Sequence, residues 1–140
     1  MYSKLIIVGN LGRDPEMRYM PDGRAVTNFS VATNRGWTNA NGETVKETTW
    51  FKVATWGKRA ETCNMYLHKG SKVLVEGRLT IDPATGGPKI WFAQDGSPRA
   101  SFEVNADDVR FLSSKSEDES AGQEQGTLAP APEDDDSIPF

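Results

Sequence analysis

The sequence has one cysteine, Cys63, and one histidine, His68, among its 140 residues. A single cysteine excludes an internal disulfide, and this pair leaves almost no material for a zinc site or a Cys–His catalytic pair. No apolar run approaches the ~20 residues that a membrane-spanning helix needs. The N-terminus lacks a basic flank followed by the apolar stretch of a secretory signal. These absences predict a cytoplasmic protein without membrane attachment, metal ion or cofactor.

Charge divides the chain into two parts. Residues 1–112 carry 15 Lys and Arg against 12 Asp and Glu, whereas residues 113–140 carry one Lys and eight acids. The overall net charge of −4 therefore describes neither part. We expect one folded domain over residues 1–112 and an acidic tail over residues 113–140.

The tail has a polar body and an apolar tip. Between residues 113 and 131 the only large apolar side chain is Leu128, so burial cannot offset the entropy of ordering and we expect disorder. The last residues combine an acidic run with an apolar end, namely Asp134, Asp135, Asp136, Ile138, Pro139 and Phe140. Such a run is often only solubilising. An apolar end with a terminal carboxylate favours a peptide that docks into a partner's pocket.

The first part is predicted to be all-β with one short helix. Alternating or short apolar runs predict five strands, at residues 4–8, 25–33, 47–56, 72–80 and 99–105. A polar loop is expected at 34–46, with a turn at Asn41-Gly42, and a helix at 58–69 with Gly70 as its C-terminal cap. The change of alternation after residue 105 predicts a bulge near Asp107. This order fits a five-stranded Greek-key barrel of the oligonucleotide-binding (OB) type, among other small β folds.

Four tryptophans are too many for one small core. Strand alternation places Trp50, Lys52 and Trp56 on one face of the third strand, opposite Phe51 and Val53. Trp37 is expected in the polar loop and Trp91 in a Gly- and Pro-rich segment. Any one of these indoles could equally be a core residue. Two indoles flanking a lysine are also the arrangement that stacks bases and holds phosphate.

Several cations are placed to line a groove beside these indoles. Each alone is expected on any solvated surface, so the hypothesis rests on their arrangement. The candidate phosphate contacts are Arg18, Arg35, Lys52, Lys58, Lys69 and Lys89, and the candidate stacking residues are Trp37, Trp50, Trp56 and Trp91.

The motifs resemble those of the bacterial single-stranded DNA-binding proteins. They are LIIVGNLGRDP at residues 5–15, RYMPDG at 18–23, WFKV at 50–53, WGK at 56–58, YLHKGSKV at 66–73, VEGRL at 75–79 and the Asp-rich tip ending in IPF. The resemblance implies an OB-fold core, a homotetramer, a disordered tail and a nucleoid-associated cytoplasmic location. It also implies sequence-independent binding of single-stranded DNA, and recruitment of replication, repair and restart proteins through the tip.

Two segments depart from the family pattern. Residues 81–98 look longer than the matching hairpin, which leaves the register of Trp91 open, and Ser137 separates the acids from Ile138. The consecutive apolar residues 5–8 need cover on both faces, which a subunit contact would provide. The candidate interface residues are Leu5, Ile7, Phe51 and Leu74, although core packing explains Phe51 and Leu74 equally well.

Three rival functions stay open from sequence. An RNA-binding or primosomal OB module shares the fold and the aromatics, but the docking tip argues against it. A nuclease needs acidic groups that hold metal ions, and no such constellation is visible. A protein-interaction adaptor leaves the exposed tryptophans unexplained.

Overall fold

The computed structural model describes residues 1–113, so the predicted acidic tail and its docking tip lie outside the described residues. The described part contains eight strands and one helix. They are β1 (Leu5–Leu11), β2 (Glu16–Tyr19), β3 (Ala25–Thr38), β4 (Thr44–Trp56), α1 (Lys58–Tyr66), β5 (Lys72–Leu79), β6 (Ile90–Phe92), β7 (Pro98–Ala100) and β8 (Phe102–Phe111).

Five of these strands close into a barrel. The sheet runs β1-β5-β8-β4-β3-β2, and an added β1–β3 pairing joins Asn10 to Ala32 and closes the ring. The pairing of β4 with β8 is parallel, and the other pairings of this sheet are antiparallel. The predicted mostly-β architecture, a five-stranded barrel with one helix between its third and fourth strands, is confirmed.

The barrel interior is filled by branched aliphatic side chains. Val31, Val53, Val73, Val75 and Val104 are each at most 1% exposed. β-branched residues suit this position because they pack well on a pleated, half-buried surface. The helix α1 covers part of the barrel, burying its Ala60 and Cys63. No helix within residues 1–113 is long and apolar enough to cross a membrane.

The polar segment 34–46 is mostly strand, which corrects the prediction of a loop. β3 and β4 pair without a break from Val26↔Trp56 to Thr38↔Thr44. The turn is confined to residues 39–43, where Gly42 has φ +78° and donates its N–H to the Asn39 carbonyl at 3.0 Å. Cross-strand pairing supports this polar arm, as when Thr48 Oγ1 donates to Asn34 Oδ1 at 2.9 Å.

The helix ends earlier than the sequence predicts. α1 stops at Tyr66, and Leu67 is already extended while its N–H bonds to the Cys63 carbonyl at 3.0 Å. Gly70, with φ +90°, belongs instead to a turn in which the Ser71 N–H donates to the His68 carbonyl. The turn returns the chain to β1, because the Gly70 N–H donates to the Leu11 carbonyl at 2.9 Å.

The end of the domain holds a bulge and a separate hairpin. The β5–β8 register passes from Glu76↔Asp108 to Gly77↔Ala106, so Asp107 is the extra residue and the predicted bulge is confirmed. The predicted strand at 99–105 divides at Ser101 between β7 and β8. β7 pairs with β6, so the segment 81–98 forms most of a small hairpin. β2, which lies between the predicted strands at 4–8 and 25–33, is a short additional strand at the edge of β3.

Candidate nucleic-acid interface

One side of β4 presents the tryptophans predicted to stack. Trp50 is 52% exposed and Trp56 is 37% exposed, whereas Val53 on the other side is 1% exposed. Lys52 and Ala54 lie between the two indoles on the same side, as strand alternation requires. We call Trp50, Lys52, Ala54 and Trp56 the indole face.

The indole face forms the floor of two adjoining grooves of about 420 and 640 Å³. Trp56 lines the first groove and Trp50 lines the second. Lys52, Arg13 and Ser30 line both, so the two cavities meet at the lysine between the indoles. A planar group can therefore approach Trp56 in one groove and Trp50 in the other, and an anion in either groove can reach Lys52.

Trp56 is held in place by contacts at its edge and over its ring. Its Nε1–H donates to Asn105 Oδ1 at 3.4 Å, and the Arg24 guanidinium lies 5.2 Å from its ring centroid. Arg24 is itself anchored, because its backbone N–H and Nε donate to the Asp22 carboxylate at 3.0 and 2.7 Å. These bonds hold the pKa of Asp22 below its usual value. The arrangement orients Trp56 while leaving part of it open.

Trp91 joins the indole face from another element. It lies on β6, and the Lys52 ammonium is 5.5 Å from its ring centroid. Lys89, two residues earlier, lines the Trp56 groove. The long 81–98 segment therefore folds back towards β4 and brings a third indole beside the central lysine.

Trp37 lies apart from the other three indoles. It is on the β3 arm rather than in a loop, is 39% exposed, and pairs with Val45. With no shift in the β3–β4 register, its odd-numbered position places it on the opposite side of the ribbon from Trp50 and Trp56. The Arg35 guanidinium lies 5.1 Å from its ring centroid. Trp37 and Arg35 thus form a third aromatic–cation pair, which lies outside the grooves.

The remaining predicted cations lie around the edge. Arg18 on β2 is in register with Val26, which pairs with Trp56, so Arg18 shares the side of the sheet that carries Trp56. Lys58 is exposed at the start of α1. The Lys69 backbone N–H donates to Asp14 Oδ1 at 2.8 Å, and Asp14 lines the Trp56 groove. None of these three cations lines either groove.

The grooves are nearly balanced in charge. The ionisable side chains that line the Trp56 groove are Arg13, Lys52, Lys89, Asp14, Glu16 and Glu103. Three bases therefore face three acids, and exposed aromatic rings rather than excess charge distinguish this surface. Among residues 1–113, no group of three or more His, Cys, Asp or Glu side chains is placed to hold a metal ion.

Three exposed cationic or aromatic residues of the site were not among the sequence candidates. Arg13 lines both grooves, Arg24 lies over Trp56, and Phe102 lines the Trp50 groove with 59% of its surface exposed. Alternation places Phe102 with the core residue Val104, but Phe102 stands at the first position of β8, beyond the interior. Arg13 immediately follows Gly12 within the LIIVGNLGRDP motif, so the motif itself could have indicated Arg13 as a candidate.

The predicted interface residues divide between core and surface. Ile7 is 7% exposed in the core, and Leu5 and Phe51 pack against that core, so Ile7 offers no surface to a partner. The exposed residues of β1 are its alternate positions, Ile6 at 58% and Val8 at 45%. Val8 pairs with Leu74, so these three side chains share one side of the sheet. We call Ile6, Val8 and Leu74 the outer apolar patch.

Comparison with known proteins places this geometry in a family. Residues 2–112 match the model of the single-strand binding protein family. A single-stranded DNA-binding protein of Neisseria meningitidis is 40% identical over 115 residues, which cover 82% of this chain and 62% of that protein. That of Wolinella succinogenes is 41% identical over 82% of this chain and 67% of its own. The chain thus spans 62% of the length of the Neisseria relative.

Solved structures show the same fold. A Plasmodium falciparum SSB in complex with single-stranded DNA superposes with a TM-score of 0.67 at 25% identity, over 81% of this chain and 97% of that one. A deletion mutant of the single-stranded DNA binding protein from Thermus aquaticus gives a TM-score of 0.62 at 27% identity, over 80% of this chain and 51% of that one.

Proposed function

The chain belongs to the single-strand binding protein family, and from this we propose that it binds single-stranded DNA without sequence preference, by binding rather than catalysis. The observation that carries the proposal is the indole face, where two partly exposed tryptophans flank Lys52, which lines both grooves. Tryptophan buries a large apolar area on contact and is enriched at binding interfaces. The cellular role we assign is protection of single strands during replication, recombination and repair, at the nucleoid in the cytoplasm.

The proposed contacts divide by chemistry. Bases stack on Trp50, Trp56 and Trp91, and the Lys52 ammonium between them pairs with phosphate. Trp37, with Arg35, is proposed as a separate stacking contact on the opposite side of the β3–β4 arm. Lys89 is proposed to hold phosphate within the Trp56 groove, and the peripheral cations proposed to hold phosphates outside the grooves are Arg18, Lys58 and Lys69. Stacking tolerates any base because every base has a π-face, which supports binding without sequence preference.

Salt should affect this binding only in part. Each phosphate contact releases counterions, so affinity falls as salt rises. Because acids balance bases along the Trp56 groove, we expect a shallow slope and a substantial residual affinity at high salt, which stacking supplies.

Titration with unlabelled oligo-dT at low and high salt, followed by tryptophan fluorescence, tests the proposal. We expect deep quenching that saturates, because the bases cover exposed indoles. A duplex of equal length is the control and should quench little. No quenching, or an equal response to duplex, would overturn the proposal. Equal affinity for single-stranded RNA would favour the rival RNA-binding module.

We also propose that the protein is a homotetramer assembled in part through the outer apolar patch. The support is that Ile6 and Val8 present 58% and 45% of their surfaces on a barrel strand, although both its edges are already paired. Sedimentation should give four times the subunit mass of 15.4 kDa. A Val8→Asp variant should dissociate, and a parent that sediments as a monomer would contradict the assembly.

The division at residue 112 and the role of the tail remain proposals that rest on sequence. We propose that residues 113–140 form the tail, and that Ile138, Pro139 and Phe140, preceded by Asp134, Asp135 and Asp136, dock to replication, repair and restart proteins. Deletion of Phe140 should abolish docking to such a protein and leave oligo-dT affinity unchanged or raised. A large loss of DNA affinity would contradict the separation of the tail from the domain.

A further inference from the structure

The indole of Trp50 lies against a residue that has no side chain. An ideal Cβ built on Gly12 would stand 2.5 Å from Trp50 Cζ3 and 2.6 Å from Cη2. Carbon atoms in favourable contact are about 3.5–4.0 Å apart, so even a methyl group at residue 12 requires one partner to move by about 1 Å. We propose that Gly12 is a positioning residue for Trp50, and that its missing side chain fixes the ring orientation which presents the indole to a base. This inference rests on the proposed function.

The backbone of Gly12 is not free to give way. The Gly12 N–H donates to the Ser30 carbonyl at 3.1 Å, and the Leu11 N–H donates to the Ser71 carbonyl at 2.9 Å. Leu11 also pairs with Val31. Ser30 lies opposite Lys52 in the β3–β4 register, so the segment that holds Gly12 is tied to the strand pair that carries the indole.

The Trp50 ring, in contrast, has open space beside it. It is 52% exposed, and the atoms nearest to Gly12 are at the far end of its side chain. A methyl group at residue 12 should therefore displace the indole into solvent and disturb the barrel little. The affected function is stacking, because the displaced ring no longer lies where the groove holds it.

Comparison with other glycines separates this role from ordinary packing. A Cβ on Gly9 or Gly77 would meet backbone oxygens, those of Ala32 at 2.2 Å and Asn105 at 2.1 Å, so these glycines are needed by the barrel itself. Gly12 has no positive φ, so its backbone also suits alanine. A Cβ on Gly12 would meet atoms of one exposed indole, so this glycine is needed by the proposed binding site rather than by the barrel.

Binding of an oligo-dT of about 8 nucleotides, within the ~4–16 that one OB fold covers, tests the proposal. We expect Gly12→Ala to weaken binding at least about fivefold, the equivalent of the lower bound for one lost stack, with nearly unchanged thermal unfolding. Gly36→Ala is the matched control on β3, because its Cβ would meet the Val45 oxygen at an ordinary 3.7 Å. Binding by Gly12→Ala within about twofold of the parent, at the same salt, would overturn the proposal.

The same substitution made in a Trp50 variant tests whether Gly12→Ala weakens binding by displacing the Trp50 indole. In Trp50→Leu, which lacks the contacted ring atoms, adding Gly12→Ala should change affinity by less than about twofold, so the two effects are strongly non-additive. An equal loss in both backgrounds would mean that Gly12 acts through the backbone, and would overturn the positioning role. If Gly12→Ala alone fails to fold, folding of the double variant supports the contact, and failure of both refutes it.

Tryptophan fluorescence measured without DNA tests the contact between Gly12 and Trp50 independently of the proposed DNA binding. Gly12→Ala should shift tryptophan emission to the red and increase quenching by acrylamide, and neither change should occur in the Trp50→Leu background. Absence of both changes in the otherwise native chain would refute the displacement of the ring. A parent that quenches on adding neither oligo-dT nor RNA would overturn the proposed function, while the emission of Gly12→Ala still decides the contact.

Discussion

The two sides of β4 have opposite surroundings although their residues alternate along one strand. On one side Val53 is buried in the barrel, and on the other Trp50 and Trp56 stand partly in solvent. Both sides carry large apolar side chains, so hydrophobicity alone does not separate them. What separates them is cover, because Val53 packs inside the core with Val75 and Val104, whereas the outer side is covered only in part, by residues such as Arg24 and Trp91. An apolar side chain left uncovered by its own fold is where we expect a ligand.

The largest effect is expected from truncating Phe29, which lies on β3 opposite Val53 and shares the inner side of the β3–β4 pair. Phe29 is 4% exposed and shares the core with Val53. Phe29→Ala should lower the free energy of unfolding by about 3–5 kcal/mol, because it removes buried surface and leaves a cavity. Urea unfolding measures this. A comparable loss in Trp50→Ala would show that the two sides of β4 do not differ as described.

A truncation on the outer side should affect binding instead. Trp50→Ala should weaken oligo-dT binding by about 1–3 kcal/mol, the value of one base stack, while the cooperative unfolding transition is kept. Fluorescence titration and thermal unfolding of the same sample give both quantities. Unfolding of the variant, rather than weak binding, would make Trp50 a core residue.

The lysine between the indoles should change the salt dependence more than the affinity. Lys52→Met removes one phosphate contact, so the slope of log K against log salt should become less negative by about 0.7. Lys4→Met is the matched control, because Lys4 Nζ is already paired with Glu76 at 2.9 Å. Equal slopes in Lys52→Met and in the parent would remove Lys52 from the contact.

The smallest expected effect comes from the inner surface of α1. Burial raises the pKa of the Cys63 thiol from 9.0 to about 11, against a smaller opposing effect of a hydrogen bond with Thr55. The unfolded chain therefore loses this proton first, and stability should fall as pH rises from about 9 to 11. Over that range the free energy of unfolding should fall more steeply with pH in the parent than in Cys63→Ala. Parallel curves would mean that the thiol titrates alike in both states.

Sequence predicts the barrel better than it predicts the arrangement of the site. Alternation suffices for β4 and β5 because each has one side in the core, and it places Lys52 between two indoles. It fails in the β3–β4 arm, where both sides are exposed and polar residues conceal a strand, so Trp37 was expected in a loop. It cannot show that β6 returns over Lys52, that Arg24 lies over Trp56, or that Gly12 meets Trp50. These contacts join elements distant in sequence, and only tertiary packing sets them.

The strand pairings of the barrel also predict the order in which they form during folding. β3 and β4 are joined by a five-residue turn, so their pairing is local in sequence. The pairing of β1 with β5, which sets Leu5 opposite Gly77, and that of β4 with β8, which sets Phe51 opposite Phe102, join residues far apart in sequence. Closing a short loop costs less entropy than closing a long one, so the β3–β4 ribbon should form first. On the ribosome, a nascent chain would then display Trp50 and Trp56 on one side of the β3–β4 ribbon before residues 102–111 had been translated to close the barrel.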